Sequence, residues 1–486
     1  MDKDDISEVG AKKICHHCIG EKYLRAEIKS EGKRRKCSYC GQTAKSYLIA
    51  EMAERIDFVF EQHYVRTSDQ PSSWQYSLLA DKESDYEWER DGEPVIYAIM
   101  NSADMPEEAA ADIQTILENQ HGDFDAWAAG EETPFSDDSC YEEKGVSDAA
   151  WQEEWRSFEK SIKTEARFFS NASLEYLKSV FQNINEIETK DGRPLIVKAG
   201  PDTDMPAFFR ARVFQADDSL KTALMRPDIH LGSPPSSLAK AGRMNAHGIS
   251  VFYGANDPIV ALAEVRPPVG SQVAVARFEV IRPLNFLDLT ALDFITVKGS
   301  IFDSDYIHRL ERAAFLRKLC QRITKPVMPD DEAFEYLATQ AIADFLSTEA
   351  DPQIDGIIFP SVQVAGTSLN VVLFHKASKV EQLDLPEGTE ISAQLWQMYE
   401  DGEEPEFSVT EEVPPEEEGA EDDKDKWPFD FASADLEWPS SKSDYREPAL
   451  KIDTDNIWVH IINSVQFSSN DFQVKRRRWE KKEPNF

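Results

Sequence analysis

The sequence predicts an α+β protein, in which a mainly helical N-terminal region precedes a region built on a strongly bent β-sheet. Residues 46–190 show helical periodicity, interrupted by acidic loops that contain Gly, Pro and Ser. From about residue 204, short β-rich runs bounded by Gly, Pro or Asp alternate with two helical stretches. With 486 residues, the chain is long enough for about two or three domains.

In the helical region, aromatic and aliphatic side chains recur at helical spacing. Trp151, Trp155, Phe158 and Ile162 fall on one face of a helix that Ser147 can cap. This stripe is typical of a buried helix face, so we interpret these tryptophans as core residues.

The β-rich region, residues 204–398, forms the predicted main domain. Its strands are predicted at 208–214, 249–253, 272–280, 356–359 and 370–374, and its helices at 306–324 and 330–347. Residues 399–445 are predicted to be a low-complexity acidic insertion without packed structure. Residues 446–486 regain alternating β character, so we expect C-terminal strands that rejoin the main sheet, followed by a basic tail.

Charge and hydropathy restrict the location and the partners. The net charge of −37 disfavours nucleic acid as a partner, although residues 33–36 and 475–478 are compact basic runs. Residues 400–425 hold fourteen acids and one lysine, about a third of the net charge. No apolar run approaches the length of a membrane span, and the charged N-terminus does not resemble a signal peptide. The cytoplasm is therefore the expected location.

Four cysteines near the N-terminus form two closely spaced pairs, Cys15 with Cys18 and Cys37 with Cys40. Two Cys-x-x-Cys pairs with eighteen residues between them are typical of a zinc ribbon, so residues 10–45 are predicted to bind one structural Zn²⁺. His16 or His17 could replace one cysteine, and a redox role is the weaker alternative. Cys140 and Cys320 are isolated and are interpreted as ordinary residues.

Polar residues in the β-rich region are not explained by packing. Arg210 and Arg212 lie on an otherwise apolar strand, and Glu264 lies in the apolar segment 259–265. Burial of such a carboxylate is costly unless it is paired or functional. Ser361 follows the apolar run of residues 356–359 and Pro360.

Five motifs in order resemble the RES domain, a family named for its Arg, Glu and Ser. They are Phe-Arg-Ala-Arg at 209–212, Gly-Arg-Met-Asn-x-x-Gly at 242–248, the strand with Tyr253, the helix with Glu264, and Asp-Gly-Ile-Ile-Phe-Pro-Ser at 355–361. The resemblance covers about residues 205–376, with 452–474 as a closing element. The cysteine module resembles the domain that precedes RES and HEPN domains.

The resemblance implies a fold similar to ADP-ribosyltransferases and an enzyme that degrades NAD⁺ by cleaving the nicotinamide–ribose bond, as a glycohydrolase or a phosphorylase. It assigns Arg210, Glu264 and Ser361 as catalytic residues and places Arg243 and Tyr253 in the NAD⁺ pocket. It further implies a bacterial toxin or antiviral defence effector, and hence an inhibitory antitoxin or regulatory partner. An oligomer is compatible with the sequence.

Ordinary structural roles remain open at each position. Glu264 could form an ion pair with Arg243 or Arg266, Arg210 could pair at a strand edge, Tyr253 could be core, and Ser361 could be a turn residue. His247 and His375 are interpreted as structural.

Two other function classes compete with the enzyme. A HEPN-type RNase is disfavoured because no histidine follows an Arg at the spacing of four to six residues that this class requires. A nucleic-acid-binding protein that uses the zinc module and the basic runs is the remaining alternative.

Overall fold

The computed structural model describes residues 3–81, 83–364, 366, 368–400, 402–415, 444–466 and 470–479. The chain divides into two compact units, which are described separately. The first comprises Met1–Ser157, Ile187–Gly192 and Phe294–Leu319, and the second comprises Phe158–Glu186, Arg193–Asp293 and Cys320–Phe486. Among the described residues, every helix is too short or too polar to cross a lipid bilayer.

The first unit begins with a helix and a small three-stranded antiparallel sheet that carries the cysteines. The elements are α1 (Lys3–Gly10), β1 (Lys13–Cys15), α2 (Lys22–Glu31), β2 (Lys33–Lys36) and β3 (Thr43–Leu48), and the strand order is β1-β3-β2. The Glu21 carboxylate caps α2 by accepting a hydrogen bond from the backbone N–H of Leu24. Gly41 has φ +72° in the turn between β2 and β3, a conformation that favours glycine.

Amphipathic helices build the core of this unit. The buried face of α3 (Ile49–His63) packs with residues of α5 (Val95–Ala103) and α6 (Glu107–His121), since Ile56, Ile99 and Ile113 share one apolar cluster. The remaining elements are α4 (Ser73–Ala80), α7 (Phe124–Ala129) and the sheets β4-β6-β5 (Tyr64–Arg66, Cys140–Glu143, Glu93–Pro94) and β7-β13 (Glu188–Thr189, Ile295–Thr296).

The predicted aromatic stripe lies on α8 (Ala149–Thr164), where Trp155, Phe158 and Ile162 are buried. The other helices are α9 (Asn171–Phe181), α10 (Asp217–Met225), α11 (Pro227–His230), α12 (Pro258–Glu264), α13 (Tyr306–Thr324), α14 (Glu332–Glu335) and α15 (Leu337–Thr348).

A mixed eight-stranded sheet is the centre of the second unit. Its order is β18-β11-β9-β10-β15-β14-β12-β8, and every neighbouring pair is antiparallel except β12 with β14. The strands are β8 (Ile196–Ala199), β9 (Ala207–Phe214), β10 (Phe252–Ala255), β11 (Gln272–Val280), β12 (Leu284–Asp288), β14 (Gly356–Pro360), β15 (Leu369–Leu373) and β18 (Leu450–Ile461). A separate hairpin joins β16 (Glu390–Tyr399) to β17 (Gly402–Glu412).

Alternation along the strands separates two apolar clusters. Phe208 and Phe278 belong to the larger cluster, together with residues of α10. Ala211 and Val275 belong to the smaller one, with Val260 of α12. Both clusters meet the same sheet, because successive side chains point to opposite faces of a strand. The predicted α+β class is confirmed.

Several details differ from the sequence expectation, among them the helix expected at 330–347, which forms as the two helices α14 and α15, and the strands β8 and β12, which were not expected. The strand expected at 249–253 forms at Phe252–Ala255, because the preceding backbone is held by side chains instead: Asn245 Nδ2 donates to the Ile249 carbonyl and Ser250 Oγ donates to the Pro234 carbonyl. The start of the acidic segment 399–445 is not unstructured, since residues 402–412 pair with β16. Residues 416–443 of that segment, and 480–486 of the basic tail, lie outside the described residues.

Candidate active site and cysteine cluster

A cavity opens where two strands of the main sheet separate. Strands β9 and β10, all of whose residues the structure describes, share a single register pair, Phe209 with Ala255. A Cβ at Gly254 would lie 2.8 Å from the Phe209 carbonyl oxygen, so only glycine fits at this fork. The cavity has a volume of about 340 Å³, enough for a small organic ligand. Its walls include Arg210, Arg243, Tyr253, Glu264, Tyr336 and Asn370.

The end of helix α12 brings a carboxylate into this cavity. The Asp257 carboxylate caps the helix by accepting from the Ile259 N–H at 2.8 Å, and Pro258 occupies the first turn. Val260 and Ala261 are buried in the smaller apolar cluster. Glu264 is the last helical residue, one turn beyond them, so it projects from the same side of the helix into the cavity.

Two side chains donate to one oxygen of this carboxylate. Ser361 Oγ donates to Glu264 Oε1 at 2.7 Å, and Asn370 Nδ2 donates to the same oxygen at 2.8 Å. Ser361 Oγ also accepts from the backbone N–H of Gln363 at 3.1 Å and of Val364 at 3.3 Å. The serine is therefore a turn residue and a carboxylate partner at once. Within the described chain, no hydrogen bond or ion pair reaches Glu264 Oε2.

Arg210 places an unpaired cation at the fork. Its Nη1 is inaccessible to solvent and has no hydrogen-bond partner among the described residues. Its guanidinium lies 5.3 Å from the centre of the Phe252 ring, and no described carboxylate forms an ion pair with it. Burial, reinforced by the charge of Arg212, lowers the pKa of Arg210 to about 10. A cation with a buried, unpaired donor is costly, and an anionic ligand would compensate it.

The Arg243 side chain donates its hydrogen bonds to backbone carbonyls of the protein. Its guanidinium donates to the carbonyls of Ile323 and Lys325 at the end of α13 and lies 4.9 Å from the centre of the Tyr336 ring. Thr339 Oγ1 donates to the Arg243 carbonyl. Arg243 therefore fixes the loop 242–248, and it does not form the ion pair with Glu264 that the sequence left open.

Tyr253 forms a wall of the cavity and holds the same loop. Its hydroxyl donates to Asn245 Oδ1 at 2.9 Å and accepts from the Met244 N–H at 3.0 Å. Burial raises the pKa of Tyr253 to about 12, so the phenol is neutral at ordinary pH.

The structure thus brings four predicted residues, Arg210, Arg243, Tyr253 and Glu264, to one cavity, and Ser361 contacts it through Glu264. Asn370 and Tyr336 were not predicted, and Asn245 was noted only as part of the motif at 242–248. Asn370 could have been found from the sequence, because it places an amide at the start of the apolar run 370–374, where a polar side chain needs a hydrogen-bond partner.

The four N-terminal cysteines form one cluster. Their sulfur atoms all lie within 4.8 Å of one another, and neither His16 nor His17 belongs to the cluster. Cys15 Sγ lies 3.5 Å from Cys40 Sγ and 3.8 Å from Cys18 Sγ, and Cys18 Sγ lies 3.8 Å from Cys37 Sγ. A tetrahedral thiolate site with metal–sulfur bonds of about 2.3 Å requires sulfurs about 3.8 Å apart. The cluster therefore fits a tetrahedral metal ion.

Together, the sheet and the cavity define an α+β domain with a polar cavity, which is lined by a carboxylate held by two donors and by an arginine without an ion-pair partner among the described residues. Residues 209–395 match the family model of the RES domain, so this part of the chain is a RES domain. Searches of the curated proteins and of the solved structures found no match.

Proposed function

We propose that this chain degrades NAD⁺ by cleaving the bond between nicotinamide and ribose. RES domains are associated with NAD⁺-degrading, toxin-like proteins. The observation that carries the proposal is the site itself: the Arg, Glu and Ser for which the family is named occur here as Arg210, Glu264 and Ser361, on one cavity or in direct contact with its carboxylate.

The chemistry suits these residue types. The bond between ribose C1′ and the ring nitrogen breaks with its electron pair moving to the nitrogen, which neutralises the pyridinium charge. The sugar passes through a state with oxocarbenium character, as in glycoside cleavage. The Glu264 carboxylate stabilises this positive charge and accepts hydrogen bonds from ribose hydroxyls. Arg210 offers its free donor to the pyrophosphate, and Ser361 keeps Glu264 in place.

The oxygen that attacks C1′ comes from water or from inorganic phosphate. Water gives ADP-ribose, nicotinamide and one proton, whereas phosphate gives ADP-ribose 1″-phosphate and nicotinamide. Because nicotinamide departs as a neutral pyridine, neither route needs acid catalysis at the ring.

One incubation tests the proposal. The full chain is incubated with NAD⁺, with and without inorganic phosphate, and nicotinamide and the sugar product are followed by chromatography. We expect nicotinamide in at least one condition, and the sugar product identifies the route. Intact NAD⁺ in both, with a folded protein by circular dichroism, would overturn the proposal.

We further propose that the cysteine cluster holds one structural Zn²⁺. Four protein sulfurs close the coordination shell, so this ion would stabilise the N-terminal sheet and take no part in the chemistry.

Cys15→Ser is therefore expected to lower the bound zinc from about one ion per chain to near zero and to lower the melting temperature. Elemental analysis and thermal unfolding measure the two effects. The control is Cys140→Ser, because Cys140 lies on β6 outside the cluster and should leave the metal content unchanged. An equal zinc content in Cys15→Ser and in the unmodified protein would contradict the proposal that the cysteine cluster binds zinc.

A protein that consumes NAD⁺ would harm its own cell, so the proposal includes a bacterial toxin or defence role in the cytoplasm under control of an inhibitory partner. Expression of the unmodified chain and of the Glu264→Gln variant tests the toxin role. The unmodified chain should lower cellular NAD⁺ and arrest growth, and the variant should do neither.

A further inference from the structure

Asn370 is a buried amide whose hydrogen bonding is incomplete. It is 7% exposed on strand β15, where it pairs with Ala255 of β10 and Phe359 of β14. Its Nδ2 donates to Glu264 Oε1, but its Oδ1 is buried without a partner among the described residues. A reversed amide would place Oδ1 against the carboxylate oxygen, so the observed orientation is the favourable one. Buried polar atoms are rarely left unpaired, which points to a partner outside the protein.

The neighbouring carboxylate has a matching free atom. Glu264 Oε1 receives both protein donors, Ser361 Oγ and Asn370 Nδ2, and Oε2 receives none from the part of the chain that the structure describes. Asn370 and Glu264 both line the same cavity. Two side chains that touch each other therefore each offer an acceptor that no described residue uses. A ligand with two adjacent donors satisfies both.

We propose that Asn370 Oδ1 and Glu264 Oε2 together bind the vicinal 2′- and 3′-hydroxyls of the ribose that carries nicotinamide. This inference rests on the proposed function. Adjacent hydroxyls on one sugar ring supply two neighbouring donors, and the 2′-hydroxyl lies beside the C1′ atom at which the bond breaks. Asn370 is thereby a substrate-binding residue that also orients the carboxylate.

The arrangement determines specificity for the sugar. A site with buried acceptors rejects an analogue that lacks the corresponding hydroxyl, because the acceptor then remains buried and unpaired. The carboxamide of nicotinamide is also a donor, and a contact with it would make Asn370 select the base instead of the sugar. Ligands altered at the ribose or at the carboxamide distinguish these two contacts.

Binding is measured by calorimetry on the full chain, with an uncleavable NAD⁺ analogue in which CH₂ replaces the ring oxygen of the nicotinamide ribose. Asn370→Leu removes the amide at nearly constant volume and is expected to weaken binding about 10- to 100-fold. The matched control is Asn285→Leu on strand β12, where the side-chain amide donates to the Gln353 carbonyl and to no other described residue. This variant should change binding less than about twofold.

Two further ligands test the contact with the unmodified protein. Versions of the analogue that lack the 2′- or the 3′-hydroxyl should each bind about tenfold or more weakly. In Asn370→Leu, loss of one of these hydroxyls should cost no further affinity, which identifies the hydroxyl that Asn370 binds. If Asn370→Leu does not fold, the unmodified protein still decides, because undiminished binding of both deoxy analogues would overturn the inference.

The nicotinic acid form of the analogue carries a carboxylate in place of the carboxamide. If its affinity falls in the unmodified protein but falls no further in Asn370→Leu, the amide contacts the base and the diol assignment is wrong. Failure of the underlying function is distinguishable, because a chain that neither binds nor cleaves NAD⁺ refutes the proposed function. A chain that cleaves NAD⁺ and tolerates Asn370→Leu refutes only the diol contact.

Discussion

Glu264→Gln is expected to lower kcat/KM for nicotinamide release by about 10³-fold and to leave the fold intact. The glutamine can keep its oxygen at the Oε1 position, where it still accepts from Ser361 and Asn370. It loses the negative charge that opposes the cation developing on the sugar, and its NH₂ group replaces the Oε2 acceptor proposed to bind the ribose. The effect should therefore appear mainly in kcat, together with a higher KM.

Single-turnover kinetics measure the rate of nicotinamide release, and circular dichroism shows whether the fold is intact. The control is Glu349→Gln, since Glu349 follows α15 and is exposed away from the cavity residues. Cleavage within about threefold of the unmodified rate in Glu264→Gln, with a matching NAD⁺ affinity, would show that this carboxylate has only a structural role.

Arg210→Met is expected to lower kcat/KM about 100-fold or more while raising the stability of the free protein. A ligand phosphate loses a forked, charge-assisted donor, which accounts for the loss of activity. The free protein loses a buried donor that has no described partner, so the free energy of unfolding should rise by about 1–3 kcal/mol. Opposite signs for activity and stability are typical of a residue retained for binding.

The matched control for this variant is Arg212→Met on the same strand. Arg212 is exposed and donates to the His230 carbonyl, so its loss should change the activity less than about threefold. Urea unfolding and NAD⁺ cleavage test both variants. A less stable Arg210→Met protein with normal activity would identify Arg210 as a structural residue.

The sequence predicted the parts of the fold that Gly, Pro and Asp residues delimit. Helix α13 and strand β11 have the bounds expected from the sequence, because residues of these types lie close to both ends of each run. The strand near Tyr253 shifted along the chain, since side-chain hydrogen bonds from Asn245 compete with sheet pairing and carry no periodic signal.

The candidate site was predictable where residue type alone is unusual. A glutamate in an apolar helix and an arginine in an apolar strand are recognisable from the chain, so Glu264 and Arg210 were found. The hydrogen-bond partners of each side chain were not predictable. Arg243 donates to two carbonyls at the end of α13, about eighty residues away in the sequence, whereas Arg210 Nη1 has no hydrogen-bond partner among the described residues. Local sequence carries no signal for contacts between such distant residues. The second donor to Glu264, Asn370, was missed for the same reason.

Strand β18 has a practical consequence for shortened forms of the protein. The family match ends at residue 395, but the partner of β11 on one side is supplied by Leu450–Ile461. A chain cut after residue 395 would leave β11 as an open sheet edge, with a row of unpaired N–H and C=O groups beside buried valines such as Val273 and Val275. Such an edge templates pairing between molecules, so a fragment that stops at the family boundary should aggregate.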